Sequence, residues 1–391
     1  MNENILENEN ILFEIKEAKV NVKTNDEINE KYKKGEFRIV TEQARYPIKS
    51  IPDMLKSDDY KTNPEYQRRK RWSLNKKSKL IESFIMNVPL PPIFLYEYEY
   101  AKFEVMDGLQ RLTAIDDFYN NRFKLVGLEY WSELDGLSYQ ELPSEIKKGI
   151  DRRYLSSIIL LEETAKTLGE AQELKQIVFE RLNSGGERIN PQESRNALYN
   201  GTFNQLCIKL AENKYFREMW LIPIKEKDLV NNKRYNSMSD VELVLRFFAY
   251  RYIDKLHNMS SIEDFLDEYL RQSNDYSPHI LEILKEMFNE TVEIIYELFR
   301  DRAFYMPKYE RTSSAPQKTV YDPLMQSISK IYKHKTKILE NKDNIIQDIY
   351  KEEDIYINKD KDIRLFNGRN NLVSAVEERI SYYDSIFSKY V

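Results

Sequence analysis

The chain has 391 residues, of which 41% are hydrophobic, 13% are aromatic and 32% are charged, and its formal net charge is −5. This is enough apolar material for a packed core, so the composition excludes global disorder, and the negative charge argues against a surface that binds nucleic acid all over. The single cysteine, Cys207, excludes an intramolecular disulfide framework and a cysteine zinc cluster, and is expected to be a small core residue.

Glycine and proline are scarce, with 10 and 13 residues, which favours a largely helical chain with compact connections. No apolar run approaches the roughly 18 residues of a membrane span, and the N-terminus lacks the pattern of a secretory signal. We therefore expect a soluble, cytoplasmic protein that makes no contact with a membrane. The length allows about two domains.

Residues 1–35 are predicted to be a peripheral segment. The pentapeptide Asn-Glu-Asn-Ile-Leu occurs twice, at 2–6 and again at 8–12, within an acidic and polar stretch. A frayed helix or a mobile tail is the structure expected for such a sequence.

A basic stretch follows residues 46–55, which are predicted to be a short strand and then a helix. Between Lys61 and Lys79 there are eight lysines or arginines and one glutamate, a local charge of +7. One interpretation is a solvated basic face. The other is a basic rim around a phosphate or nucleic-acid site, with Tyr66 and Trp72 as stacking surfaces.

The next elements are an amphipathic helix and a strand. Apolar residues recur at helical spacing from Lys76 to Val88, the proline-rich segment Pro89–Pro92 ends the helix, and Ile93–Tyr96 has the composition of a strand.

Residues 103–120 form the most informative stretch. Phe103–Met106 is predicted to be a buried strand, Asp107-Gly108 a turn, and the residues from Gln110 a helix. A helix N-terminus that follows a glycine turn offers backbone N–H groups to an anion, and Gly108 allows close approach of a ligand. Arg111 has the planar charge that suits phosphate, and Asp107 can hold a metal ion or orient a water. The alternative is a purely structural turn with a helix cap.

A second notable stretch begins with a predicted strand at Leu155–Leu161 and a helix from Leu168 to Leu182. Asn183-Ser-Gly-Gly186 ends that helix, and Asn190, Pro191 and Glu193 have the spacing of a helix start with a capping box. This helix–loop–helix interpretation leaves Arg181, Asn183 and Arg195 unexplained. From Thr202 onward the pattern predicts one helix after another.

Four blocks in this order resemble the DGQQR-motif domain at the N-terminus of GmrSD-type restriction enzymes and related bacterial anti-phage proteins. They are Tyr66-Gln67-Arg68 with Trp72, the helix and proline-rich exit at 80–92, Asp107-Gly108-Leu109-Gln110-Arg111-Leu-Thr, and the segment from Phe179 to Tyr199. The chain departs from the family pattern at Leu109, where glutamine is usual, and at Ile189, where leucine is usual. The resemblance covers about residues 40–200.

The resemblance implies a fold similar to the nucleotide-binding domains of ParB and sulfiredoxin. The expected fold class is α+β, with a small ParB/sulfiredoxin-like domain at 36–200 followed by a mostly α-helical domain at 201–391. It also implies nucleotide binding, often hydrolysis, coupled to restriction of foreign and often modified DNA. The family's nuclease usually lies in a separate domain with a histidine-centred metal site, whereas the three histidines here are isolated in sequence.

Our first hypothesis from the sequence is an NTP-hydrolysing component of such a system. Its predicted catalytic residues are Asp107, which would position Mg²⁺ or water, Gln110 and Arg111. The predicted nucleotide-binding residues are Tyr66, Gln67, Arg68, Gly108, Arg181, Asn183, Gly185 and Gly186. The predicted DNA-binding residues are Arg69, Lys70 and Arg71. The expected partners are an NTP and DNA, the latter bound directly or through another subunit, and an oligomer is compatible with the sequence.

Three alternatives remain open at this point. The first is a nucleotide-gated clamp or scaffold that binds without hydrolysis, which the Leu109 difference favours. The second is a nuclease with an unfamiliar active site, and the third is a purely structural role for the motif.

Overall fold

The computed structural model describes residues 5–13, 24–33, 39–62, 72–161, 163, 168–183, 190–257, 259–305, 315–349 and 373–391. The chain divides into two compact units. One is Ala18–Leu198, and the other combines Met1–Glu17 with Tyr199–Val391. We call them the sheet unit and the helical unit.

The sheet unit is built on an open five-stranded sheet with the order β1-β5-β3-β4-β2. Its strands are β1 (Thr41–Pro47), β2 (Tyr60–Lys61), β3 (Ile93–Glu99), β4 (Lys102–Asp107) and β5 (Tyr154–Leu160). The β3–β4 and β1–β5 pairs are antiparallel, whereas β3–β5 and β2–β4 are parallel. The mixed α+β class predicted from the sequence is therefore confirmed, and the strand that leads into the Asp-Gly turn is flanked by the short edge strand β2.

Within the described part of the sheet unit the α-helices are α1 (Asn25–Lys33), α2 (Ile51–Met54), α3 (Leu74–Met86), α4 (Leu109–Tyr119), α5 (Ser144–Asp151), α6 (Leu168–Asn183) and α7 (Pro191–Leu198). Helix α3 starts two residues before the predicted Lys76 because Ser73 caps it and accepts the N–H of Lys76 at 3.3 Å. A hydrophobic core of the sheet unit lies between the sheet and helices α2–α5, and its fully buried members include Ile81, Leu95 and Ile115.

The helical unit contains α8 (Thr202–Leu210), α9 (Lys214–Met219), α10 (Glu226–Leu229), α11 (Lys233–Asn236), α12 (Ser239–Ala249), α13 (Ile253–Leu256), α14 (Ile262–Ser273), α15 (Pro278–Phe299), α16 (Lys318–Ile331) and α17 (Lys335–Glu340). Residues 342–349 are also helical, and the last helix is Val373–Phe387. Leu284, Phe288 and Val292 recur at helical spacing along α15 and are fully buried.

The core of the helical unit is rich in aromatic rings. The ring of Phe203 meets that of Phe248 at 5.3 Å, and Phe247 meets Phe288 at the same distance. Cys207 is fully buried among these helices, as predicted, and burial raises the pKa of its thiol well above the usual range. Among the described residues, none of the helices has both the length and the apolar character that a membrane crossing requires.

Residues 5–13 differ from the peripheral role predicted for residues 1–35, whereas α1 has no buried residues. Residues 5–13 pack within the helical unit, where Glu9 and Ile11 are buried. The physical reason is a set of specific contacts with α14 and with residues 250–256, which the acidic composition of the segment does not reveal.

Candidate functional site

The Asp-Gly turn lies where β4 ends and α4 begins. Gly108 has φ +101°, a left-handed conformation that a side chain disfavours. A Cβ at this position would also lie 2.4 Å from Cγ2 of Ile93 on the neighbouring strand β3. Glycine is therefore required here twice, once for the backbone angle and once for the close approach of β3.

Arg111 lies in the first turn of α4 and spans three acceptors. Its Nη2 donates to Asp107 Oδ2 at 2.8 Å and to the carbonyl of Pro92 at 3.2 Å, and its Nη1 donates to the carbonyl of Pro91. The Arg111 side chain is only 11% exposed, whereas that of Asp107 is 46% exposed. The guanidinium thus ties the turn to the proline-rich exit of α3 and leaves the carboxylate open to solvent.

Gln110 connects the turn to the basic stretch. Its Oε1 accepts the backbone N–H of Trp72 at 3.1 Å. Trp72 is half-buried against the core of the sheet unit, and the ammonium of Lys76 lies 4.8 Å from its ring centroid. The end of the Tyr66–Trp72 block therefore meets the Asp107–Arg111 motif directly.

The start of α4 also has unused donors. Within the part of the chain that the structure describes, no acceptor is found for the backbone N–H groups of Leu109, Gln110 and Arg111, and the first N–H that returns to the turn is that of Leu112, bound to the carbonyl of Gly108. Free donors at a helix N-terminus, together with the helix dipole, favour an anion.

Leu109, where the family pattern has glutamine, belongs to the core. Its side chain is 6% exposed and packs in the same cluster as Leu112 and Ile115. Position 109 therefore points its side chain into the protein interior of this chain.

The second notable stretch contacts the sheet through its helix α6. Nζ of Lys175 lies 2.7 Å from Oε2 of Glu104 on β4, and both side chains are mostly buried, at 13% and 18% exposure. Lys175 also lies 5.6 Å from the ring centroid of Tyr96. Neither residue is predicted from the sequence, because oppositely charged residues are common in this chain and no local signal identifies this pair.

Arg181 and Asn183 lie at the C-terminal end of α6. The side chain of Arg181 is exposed, and Asn183 is the last residue of the helix. The predicted cap of α7 is confirmed, because Asn190 Oδ1 accepts the N–H of Gln192 at 3.0 Å and Glu193 Oε2 accepts the N–H of Asn190 at 3.1 Å. Helix α7 therefore starts where the predicted capping box places it.

Arg195, which the helix–loop–helix interpretation left unexplained, is buried in α7. Its Nη1 donates to Oε1 of Gln192, and Nε2 of Gln192 donates to Oδ1 of Asn196 at 2.9 Å. All three side chains are at most 2% exposed. These buried polar residues thus form a hydrogen-bonded network within α7.

Several predicted site residues lie outside the described residues, namely Tyr66, Gln67, Arg68, Arg69, Lys70, Arg71, Gly185 and Gly186. Four basic residues of the Lys61–Lys79 stretch are described, and each has a partner. Lys77 pairs with Asp117 at 2.6 Å, Lys79 pairs with Glu129, and Lys61 and Lys76 lie over the rings of Tyr98 and Trp72. These four basic residues therefore make intramolecular contacts that stabilise the sheet unit.

Among the described residues, no group of three or more histidine, cysteine, aspartate or glutamate side chains is arranged to hold a metal ion. A metal at this site would therefore depend on Asp107 together with oxygen atoms of a ligand and water. That is the usual arrangement for Mg²⁺ bound with nucleotide phosphates, and Oδ1 of Asp107 accepts no hydrogen bond from the described residues.

Comparison with known proteins gives one finding. Residues 51–200 match the family described as the GmrSD restriction endonuclease, N-terminal domain. Neither the curated proteins nor the solved structures gave a match. The matched range contains the Asp107–Arg111 turn, Trp72 and helices α6 and α7. Through these residues, the 51–200 region of the chain is similar to the N-terminal domain of GmrSD restriction endonucleases.

Proposed function

We propose that the protein is a nucleotide-binding, NTP-hydrolysing component of a bacterial anti-phage or restriction system that acts on foreign DNA. The family supports the restriction context. One observation carries the nucleotide assignment: a half-exposed carboxylate, Asp107, is held by Arg111 directly beside the three unused N–H groups that open α4.

The N–H groups of residues 109–111 would receive phosphate oxygens. A helix of 11 residues places its positive dipole end at this point, and the absence of a side chain at Gly108 lets a phosphate approach the backbone. Arg111 would contribute positive charge from behind the turn, and Arg68 would contribute it from the basic stretch.

Asp107 is assigned the metal or water role. Its Oδ2 is fixed by Arg111, so its Oδ1 has a defined direction for holding Mg²⁺ or accepting a proton from water. When bound, Mg²⁺ would neutralise charge on the phosphates. Gln110 would donate its Nε2 to a phosphate or orient the attacking water, since its Oε1 is already bound to Trp72.

The remaining predicted residues complete the proposal. Tyr66, Gln67, Arg181, Asn183, Gly185 and Gly186 would form the other side of the nucleotide site, and Arg69, Lys70 and Arg71 would contact DNA. The ParB/sulfiredoxin-like character of the fold is part of the same proposal, as is the expectation that nucleotide state alters DNA binding.

A second candidate is a nucleotide-gated clamp or scaffold that binds without turnover. It is favoured by the contacts of Gln110 and Arg111, because an acceptor occupied by Trp72 and a guanidinium occupied by three oxygens are not free to act in a reaction. A nuclease is the weakest candidate, since the described residues offer no cluster of metal ligands.

The experiment is phosphate release from each of the four NTPs with Mg²⁺, with and without DNA, alongside calorimetric binding. The variants are Asp107→Asn and Arg111→Ala, and the matched control is Asp58→Asn, which changes an exposed aspartate of the same unit. Turnover that is lost in both site variants and kept in the control would support the hydrolase. Binding without turnover would favour the clamp, and absence of both would refute the phosphate site.

A further inference from the structure

The N-terminal segment 5–13 has no helix or strand of its own, yet it supplies the carboxylate of a fully buried ion pair in the helical unit. The side chains of Glu9 and Arg251 are both 0% exposed. Nη1 of Arg251 donates to Oε2 of Glu9 at 2.8 Å, and Nη2 donates to Oε1. This bidentate pairing is the strongest geometry that arginine and a carboxylate can adopt.

Two tyrosines complete the pocket around Glu9. The hydroxyl of Tyr252 donates to the backbone carbonyl of Glu9 at 2.8 Å, and Nη2 of Arg251 also reaches the hydroxyl oxygen of Tyr269 at 3.3 Å. Burial alone would lower the pKa of Arg251, but Tyr269 and Glu9 raise it above its ordinary value, so the guanidinium stays charged. A charged group buried this deeply requires an anion beside it.

Gln272 contacts the segment at Leu12, three residues after Glu9. Oε1 of Gln272 accepts the N–H of Leu12 at 2.9 Å, and Nε2 of Gln272 donates to the carbonyl of Leu12 at 2.6 Å. The ring of Phe13 then stacks on that of Phe265 with 4.9 Å between centroids and 18° between planes. An anchoring carboxylate, a two-way backbone contact and an aromatic stack are the elements of peptide recognition in a groove.

The connectivity of the chain separates this segment from the groove that holds it. After Glu17 the chain enters the sheet unit and returns to the helical unit only at Tyr199. The segment also organises itself, since Glu9 Oε2 accepts the N–H of Leu6 at 2.9 Å and the N–H of Glu9 donates to the carbonyl of Leu6. Its described contacts with the groove come from the side chains and backbone of Glu9, Leu12 and Phe13, together with this local turn.

We infer that the groove formed by Arg251, Tyr252, Phe265, Tyr269 and Gln272 is a recognition site for a Glu-x-Ile-x-Phe segment, which residues 5–13 fill as an exchangeable intramolecular ligand. The same segment supplied in trans fits the groove equally well. This inference is independent of the proposed nucleotide function.

The repeated pentapeptide gives the groove a specificity that can be tested. The first copy offers Glu3 and Ile5 at the same spacing as Glu9 and Ile11, but Glu7 stands where Phe13 stands in the second copy. A negative charge at that place cannot stack on Phe265. The aromatic position thus sets which of the two copies is bound.

The test uses the full-length chain with a protease site inserted within residues 14–23, so that the protein folds before it is cut. A labelled synthetic peptide of residues 5–13 is added before and after cleavage, and binding is followed by fluorescence anisotropy while circular dichroism monitors the fold. We expect binding after cleavage only. Glu9→Gln and Phe13→Glu peptides should each bind at least tenfold more weakly, and Glu7→Gln, which changes an exposed carboxylate, should bind like the original.

Three results would overturn the inference. The first is that the cut segment does not exchange with the labelled peptide, and the second is that its departure unfolds the helical unit. Either result would make the segment an integral part of the core. Equal binding of all four peptides would show that the groove does not recognise the motif.

Discussion

Arg111 donates to Asp107 across 2.8 Å, from the first turn of the helix that follows the aspartate, and the same guanidinium reaches the carbonyls of Pro91 and Pro92. The arginine therefore connects three pieces of chain. It holds the Asp107 carboxylate in place and also adds positive charge to the site.

Replacement of Arg111 by alanine should lower the free energy of unfolding by about 2–4 kcal/mol, because it leaves two carbonyls and a carboxylate without their donor. Arg111→Lys should lie between alanine and the original, since one ammonium keeps the charge but cannot span three acceptors. Denaturant unfolding measures both values. Asp107→Asn keeps an acceptor on an exposed side chain and should cost less than about 1 kcal/mol, so equal losses in Arg111→Ala and Asp107→Asn would contradict the bracing role.

Gly108 is constrained by its left-handed backbone and by its close contact with Ile93. Alanine substitutions at Gly108, Gly136 and Gly149 distinguish the energetic cost of these two constraints. Gly108→Ala should cost at least about 2 kcal/mol, because the left-handed backbone and the contact with Ile93 both oppose a Cβ. Gly136 has φ +84° with open space around it, so Gly136→Ala should cost about 1 kcal/mol from the backbone alone. Gly149 lies in α5 with neither constraint, and Gly149→Ala should stabilise by up to about 1 kcal/mol.

The measurement for this series is chemical denaturation of the three variants under one set of conditions. The order of stability, rather than any single value, tests the argument. If Gly108→Ala cost no more than Gly136→Ala, the close approach of β3 to the turn would have no energetic consequence.

Local rules explain what the sequence predicted correctly. The change from strand to helical period at Asp107-Gly108 follows from residue spacing, and the cap of α7 follows from Asn190, Pro191 and Glu193. Each of these features depends on residues within one turn of each other, so one sequence suffices to recognise it.

The missed features all join residues that are distant in sequence. Arg111 meets Pro91, Gln110 meets Trp72, Lys175 meets Glu104, and Glu9 meets Arg251 across 242 positions. In a chain with 32% charged residues, many pairings of opposite charge are available. Only the fold decides which pairs become buried, and periodicity carries no information about that choice.

The buried pair Arg246–Asp322 connects α12 to α16 in the helical unit. Nε of Arg246 donates to Oδ1 of Asp322 at 3.1 Å, and the two side chains are 10% and 5% exposed. Asp322→Asn should lower the free energy of unfolding by about 3–5 kcal/mol, because it leaves a buried guanidinium without its counter-charge. Lys330–Asp384 is the control pair in the same unit, at 35% and 36% exposure, and Asp384→Asn should cost less than about 1 kcal/mol.

Thermal and urea unfolding of both variants would test this prediction. The double variant Arg246→Met/Asp322→Leu should recover most of the loss, since it removes both charges at similar volume. A double variant as unstable as Asp322→Asn would show that packing, and not the unpaired charge, determines the cost.

Glu141 should give the sheet unit part of its acid sensitivity. Hydrogen bonds from the backbone and side chain of Ser138, each 2.8 Å, and a contact with Lys124 lower the pKa of this carboxyl from 4.5 to about 2. Because the folded pKa lies below the unfolded one, the contribution to stability is complete above about pH 4.5 and is lost as the pH falls towards 2. Glu141→Gln should therefore flatten this part of the pH dependence, measured as urea midpoints across that window. Glu145→Gln, the same change at a side chain that is 81% exposed, should leave the profile steeper than Glu141→Gln does, and coincident profiles for the two variants would refute the role of the Ser138 cap.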